Sequence, residues 1–251
     1  MRYRVCHVQV LPLMTGVQKA MCLILRLPQL ESWEKHVVCK NLGPMTKVLE
    51  GMGVHVHTCR YLDRPIRPLQ DIMAIIALAK ILREIRPDVV HTHSSKGGAV
   101  GRIAAKISKV PLVLHHVQGY GFHDYISPFN KWLFSNMEKL LSYFCEAIIF
   151  VTKEEMRMAI NSKIAKACNS YFVPNGTDLN CFPIHQKNRL CAEFRKNWNI
   201  REDEIVITFA GRLWEQKQPT IIPDIAQKLI KTAKGLSKKL KFIISGSGPL
   251  E

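Results

Sequence analysis

The sequence predicts an α/β protein built on parallel sheet, with one Rossmann-like domain across residues 1–184 and the beginning of a second across 185–251. Three observations predict it. Short runs rich in β-branched residues alternate with longer stretches whose apolar residues recur at three- and four-residue spacing, as strands and amphipathic helices do. Polar, glycine-bearing segments fall where the runs end and the helical patterns begin. The cycle then halts in a polar stretch at 185–204 and restarts. Repeated strand, helix, strand units imply a parallel sheet covered on both faces, with right-handed crossovers.

Taken in order, YRVCHVQVL at 3–11 reads as a strand, followed by the loop PLMTG and a helix from about Val17 that Pro28 ends or closely follows. HVVC at 36–39 and VHVHT at 54–58 are the next strands. PLQDIMAIIALAKILREI at 68–85 is an amphipathic helix, DVVHTH at 88–93 a strand, 99–108 a helix and PLVLHH at 111–116 a strand. Ser127-Pro128 opens a further helix, because the hydroxyl caps free amides and a proline at the first position lacks only a surplus donor. AIIFV at 147–151 and SYFVP at 170–174 are the last strands of the first domain. The turn-rich NGTD and the polar 185–204 mark the junction, after which come IVITFAG, a helix at about 219–235 and KFIISGSG.

Composition narrows the partners. The 251 residues carry 36 Lys plus Arg against 20 Asp plus Glu, a formal charge of +16, which favours an anionic partner such as nucleic acid, an acidic membrane surface or phosphorylated small molecules, or else is a solvated basic surface. The excess is spread along the chain, whereas a nucleic-acid binder would concentrate it, and neither an RNA-recognition stacking motif nor a helix-turn-helix signature is present, so no nucleic acid is expected. Eight cysteines include no C-x-x-C and no zinc-like spacing, as expected of reduced, mostly buried thiols in a cytoplasmic protein. The start, MRYRVCHVQVLPLM, is interrupted by His7 and Gln9 at alternate positions, which suits a strand better than a signal peptide. The apolar LLSYFCEAIIFV is broken by Glu146 and falls short of the roughly 18 residues of a membrane span.

Four segments lie where a sheet of this kind places its working loops, at the carboxyl ends of strands. In LMTGVQ at 13–18, Gly16 permits close backbone approach and the following helix offers free amides to an anion; a plain tight turn is the alternative. HTHSSKGGAVGR at 91–102 puts His93, Ser94, Ser95 and Lys96 in position to wall a polar pocket for hydroxyls or phosphate, against a plain solvated loop. His91 and His93 share a strand face, but no third metal ligand stands nearby in sequence, so no metal is expected. HHVQGYGFHDY at 115–125 interleaves aromatics, glycines and histidines, suiting proton transfer to a hydroxyl and packing on a sugar face, or a structural aromatic-glycine turn. In ITFAGRLWEQK at 207–217, the fork of Arg212 and the point charge of Lys217 suit a diphosphate, unless Glu215 pairs with one of them on a solvated face.

In this order, T-G-V-Q, H-T-H-S-S-K-G-G, Q-G-Y-G-F-H, V-P-N-G-T-D at 173–178, F-A-G-R-L with Lys217, and G-S-G-P-L resemble family 4 of the retaining glycosyltransferases, which has the two-domain GT-B fold. The resemblance covers nearly the whole chain. It implies that Arg212 and Lys217 clamp the diphosphate of a nucleotide sugar, so that no metal or other cofactor is needed. It implies that Gly16 lets the first loop close over the donor and that Gly246 and Gly248 shape a loop beside the nucleotide. The family commonly has histidine before the glycine of the third loop; here Gln118 stands there, an amide that binds hydroxyls but takes no proton, with His116 and His123 as nearby substitutes. Front-face attack assisted by the leaving phosphate makes that imidazole dispensable. The family's paired glutamates fall beyond Glu251, so the donor domain is expected to be incomplete and the 251-residue form inactive.

The expected function is transfer of a sugar from a nucleoside-diphosphate sugar to a lipid-linked glycan acceptor in bacterial surface-polysaccharide assembly, at the cytoplasmic face of the inner membrane, the positive charge drawing the protein to anionic lipid. The competing readings are a basic Rossmann-like module holding nucleic acid or phosphorylated ligands without chemistry, and a nucleotide-sugar epimerase.

Overall fold

The computed structural model describes residues 2–120, 127–232 and 239–250. The chain divides into two compact units, Met1–Asp178 and Leu179–Glu251.

The first unit runs β1 (Arg4–Val8), α1 (Gly16–Leu25), β2 (Glu34–Cys39), α2 (Pro44–Glu50), β3 (His55–Thr58), α3 (Pro68–Ile85), β4 (Val89–His93), α4 (Ser94–Ile107), β5 (Leu112–Val117), α5 (Pro128–Leu141), β6 (Ala147–Phe150), α6 (Lys153–Asn161) and β7 (Ser170–Phe172). Its seven strands form one sheet in the order β3-β2-β1-β4-β5-β6-β7, every pair parallel. Chain order runs outward from β1 to β3, then crosses back to β4 and runs the other way. The join of β1 and β4 is therefore the topological switch point, outside whose carboxyl ends ligands bind in sheets of this kind.

Adjacent residues of β2 show how the sheet is covered. Val38 joins a core with Cys6, Val8, Val90 and Val113 beneath Leu78 and Leu82 of α3 and Val100 and Ala104 of α4. Val37 and Cys39 point the opposite way, into a second core with Met21 and Leu25 of α1 and Met45 and Leu49 of α2. Successive strand residues face opposite sides, so a strand buried on both faces reads as a continuous apolar run.

The helix ends follow local chemistry. Proline occupies the first turn of α3, and the helix stops where Arg86 adopts a left-handed φ of 51° just before Pro87. Ser127 Oγ accepts from Asn130 N at 3.3 Å to cap α5, and Thr152 Oγ1 accepts from Glu155 N at 3.1 Å to cap α6.

The second unit contains α7 (Lys187–Asn197), β8 (Ile205–Ala210), α8 (Ile222–Thr232) and β9 (Leu240–Ser245), with β8 and β9 paired in parallel. Three helices escape the sequence reading. The short α2 and α6 fall inside presumed loops, and α7 is so polar that its sequence reads as a junction. One helix also starts early, since α4 begins at Ser94 and not at 99.

Candidate functional site

In the first unit the carboxyl ends of β1, β4 and β5 lie side by side at the switch point. Gly16 opens α1; it is exposed, and a Cβ there would meet nothing within 4 Å. Its smallness serves no internal packing. The loop before it is held by Gln18, whose Oε1 accepts from Thr15 N at 3.2 Å and whose Nε2 donates to Leu11 O at 3.2 Å.

His93 is buried at the end of β4, and Ser94, Ser95 and Lys96 form the first turn of α4. Ser94 takes a left-handed φ of 59°, uncommon for a residue with a Cβ. Lys96 Nζ is paired with Asp71 Oδ2 of α3, so the charge expected to face a ligand already has a carboxylate partner. The glycines of this segment serve packing. A Cβ at Gly97 would lie 3.3 Å from Val8 O, and one at Gly101 2.5 Å from Thr92 Cγ2.

Near the end of β5, His116 is buried and its pKa is pushed down to about 4 by loss of solvation, which leaves the ring neutral at physiological pH. Gln118 is partly buried, and neither of its amide atoms, one a donor and one an acceptor, has a hydrogen-bond partner among the described residues. His123 lies outside the described residues. The fold brings His93 and His116 together, their ring centroids 5.7 Å apart in registered positions of β4 and β5.

Two residues were missed. His7, on β1, lies with its Nδ1 2.9 Å from His93 Nε2; its interruption of an apolar strand was visible, but its partner was not. Glu155, in the first turn of α6, is half-buried, and burial raises its carboxyl above the usual range. A Cβ on Gly119 would come 4.0 Å from its Oε1. No local sequence signal links α6 to the third loop.

In the second unit, Arg212 and Lys217 follow β8 on a segment closed by a 3-10 turn over Glu215–Lys217. Both are exposed, and neither they nor Glu215 forms an ion pair among the described residues. The segment is stitched to the one after β9: Gly211 N donates to Ser245 O at 2.9 Å, Leu213 N to Ser247 O at 3.0 Å and Leu250 N to Leu213 O at 3.1 Å. Gly246 and Gly248 make this possible, since a Cβ at either would stand 1.8 Å from Gly211 O or 2.2 Å from Leu213 O.

A doubly wound parallel-sheet unit with polar residues at its switch point, followed by a second, smaller parallel unit bearing a cationic loop, is the arrangement of the GT-B class of fold. Solved structures agree: HepE of Anabaena, in complex with UDP and glucose, superposes with a TM-score of 0.69 over 97% of this chain and 70% of its own, at 17% identity. The family model described as a glycosyl transferase 4-like domain matches residues 15–176. UDP-Gal:alpha-D-GlcNAc-diphosphoundecaprenol alpha-1,3-galactosyltransferase of Escherichia coli is 31% identical over 99% of this chain and 63% of its own length. N,N'-diacetylbacillosaminyl-diphospho-undecaprenol alpha-1,3-N-acetylgalactosaminyltransferase of Campylobacter jejuni is 24% identical over 80% of this chain and 53% of its own. The chain belongs to glycosyltransferase family 4. It spans less than two thirds of the length of these two relatives.

Proposed function

We propose that the chain supplies the acceptor side and the first part of the donor side of a retaining glycosyltransferase. The enzyme moves a sugar from a nucleoside-diphosphate sugar to a lipid-linked glycan acceptor in surface-polysaccharide assembly, at the cytoplasmic face of the inner membrane. The observation that carries this reading is the pair Arg212 and Lys217, two exposed cations with no ion-pair partner among the described residues, on a loop fixed by backbone hydrogen bonds. A planar fork and a mobile ammonium together match a diphosphate, and they stabilise the negative charge that grows on it as the sugar leaves. In the transfer, the bond from the anomeric carbon to the phosphate oxygen breaks and one to the acceptor oxygen forms on the same face. The acceptor proton passes to the leaving phosphate. Gln118 orients a sugar hydroxyl, His93 and His116 line the floor below it, and Gly16 admits the donor.

The relatives named for diphosphoundecaprenol-linked acceptors support the lipid part. So does the surface of the first unit. Helix α3 exposes Leu69, Ile72, Met73 and Ile76 along one stripe, and α5 exposes Phe129, Trp132 and Leu140. Such stripes, on a chain of net charge +16, suit peripheral contact with an anionic bilayer. No described helix is long and apolar enough to cross a membrane. The binding-module and epimerase readings are not favoured, because the family model and the curated relatives are those of transferases.

The test is calorimetric titration with UDP-, GDP- and ADP-sugars, followed by transfer of label to a polyprenyl-diphosphate-linked sugar. Arg212→Ala weakens donor binding about 10- to 100-fold, the worth of one charge-assisted hydrogen-bonding group. Full affinity in that variant would count against the assignment, as would a chain that takes up none of these donors.

A further inference from the structure

Four histidines from three strands meet on one face of the sheet at the switch point. Register sets His7 opposite His91 and His93 opposite His116. Ring centroids lie 4.8 Å apart for His7 and His91, 4.4 Å for His91 and His93, and 5.6 Å for His91 and His116. All four are buried, none more than 6% exposed. Even so, His7 Nε2, His91 Nε2, His93 Nδ1 and both nitrogens of His116 have no hydrogen-bond partner among the described residues. A buried, unpaired polar atom is destabilising, and a leucine or phenylalanine would fill the same space without that cost. His7 Nδ1 and His93 Nε2 meet each other, so the open atoms that bear on a ligand between these rings are His91 Nε2 and the two nitrogens of His116.

We propose that His7, His91 and His93 form a binding site for a divalent first-row transition ion of the zinc type, with His116 placed for the fourth position. One nitrogen from each of the three can be chosen so that all lie within 4.8 Å of one another. His7 Nδ1 and His93 Nε2 are hydrogen-bonded at 2.9 Å, and an ion would replace that bond by opening them to the roughly 3.3 Å edge of a tetrahedron with ~2.0 Å zinc–nitrogen bonds. An all-imidazole donor set selects zinc, nickel or copper over magnesium or calcium, which take oxygen ligands. The sequence expectation of no metal rested on the want of a third ligand near His91 and His93; β1 brings one from 86 residues before His93. An ion here would tie β1, β4 and β5 together at their carboxyl ends and fix His93 and His116; that last consequence rests on the acceptor-floor reading above, whereas uptake of the ion is tested without any transfer.

The experiment uses the 251-residue chain without a histidine tag. Elemental analysis after growth in zinc-supplemented medium should find one ion per chain. Cobalt titration of the stripped chain should give visible d–d absorption of a nitrogen-ligated tetrahedral centre, and zinc should raise the unfolding temperature. His7→Gln and His93→Gln should each lose the cobalt band while keeping the far-ultraviolet circular dichroism of the parent. A folded parent chain that binds no zinc or cobalt overturns the proposal whatever the variants do. So does a near-ultraviolet thiolate charge-transfer band, which would place the ion on Cys168, Cys181 or Cys191, the exposed cysteines.

Discussion

Gly98 lies hard against the imidazole of His115: a Cβ at Gly98 would stand 2.3 Å from His115 Cε1. His115 cannot easily yield, since it is buried and its Nδ1 lies 3.0 Å from Thr92 Oγ1. A glycine inside a helix ordinarily costs about 1 kcal/mol relative to alanine. Here that cost is offset by letting α4 sit close on the sheet. Gly98→Ala is expected to lower stability by about 1–3 kcal/mol in urea denaturation, with part of the loss restored by adding His115→Ala. A Gly98→Ala variant more stable than the parent, as helix propensity alone would give, refutes the packing role.

Arg102 and Glu138 tie α4 to α5 from inside. Arg102 Nη2 donates to Glu138 Oε2 at 2.7 Å and its Nε to Gly98 O at 2.9 Å, with the two side chains 1% and 9% exposed. Removing one partner strands the other charge in the interior. Glu138→Gln or Arg102→Met should therefore cost about 3–5 kcal/mol, while Arg102→Met with Glu138→Leu should cost clearly less than the sum. Additive losses in the double-mutant cycle would mean that the charges do not see each other.

Acid should weaken the first unit in two stages. Burial lowers the pKa of His36, so the unfolded chain binds a proton that the folded one refuses, and stability present above about pH 6.5 falls as the pH drops below it. The hydrogen bond from Arg4 Nε, at 3.0 Å, holds Glu34 below its usual value; its contribution is present above about pH 4.3 and is lost as the pH falls through the folded value. Urea midpoints of His36→Gln should fall less than the parent's between pH 7 and 5, with part of the slope kept by the other histidines that burial lowers, and those of Glu34→Gln should lose the parent's extra fall below about pH 4.5. The reverse assignment of the two stages would disprove this reading.

The two glycines of the β9 loop differ from Gly16 in what they do. Gly248→Ala forces a carbon onto Leu213 O and should open the second unit, which limited proteolysis would detect as faster cleavage within 179–250 while the first unit resists. Gly16→Ala meets no atom. Its stability should stay within about 0.5 kcal/mol of the parent while affinity for a nucleotide sugar falls. Unchanged donor affinity would return Gly16 to the role of an ordinary turn.

Much of this protein was legible without coordinates. The span 68–85 of α3 and the Ser127-Pro128 start of α5 were readable because caps, prolines and hydrophobic periodicity act within a few residues. The ordered loop motifs identified the family for the same reason. The polar α7 was not readable, since its residues are so polar overall that the segment resembles a linker. Tertiary structure alone decided what the polar residues face. Lys96 meets Asp71 across two helices, and Gly98 accommodates an imidazole from the next strand. His7 and His93 come within 2.9 Å only because β4 crosses back to lie beside β1. Local order is written in neighbouring residues, whereas a site made of several strands depends on which of them pair, and pairing is settled by burial of the whole sheet.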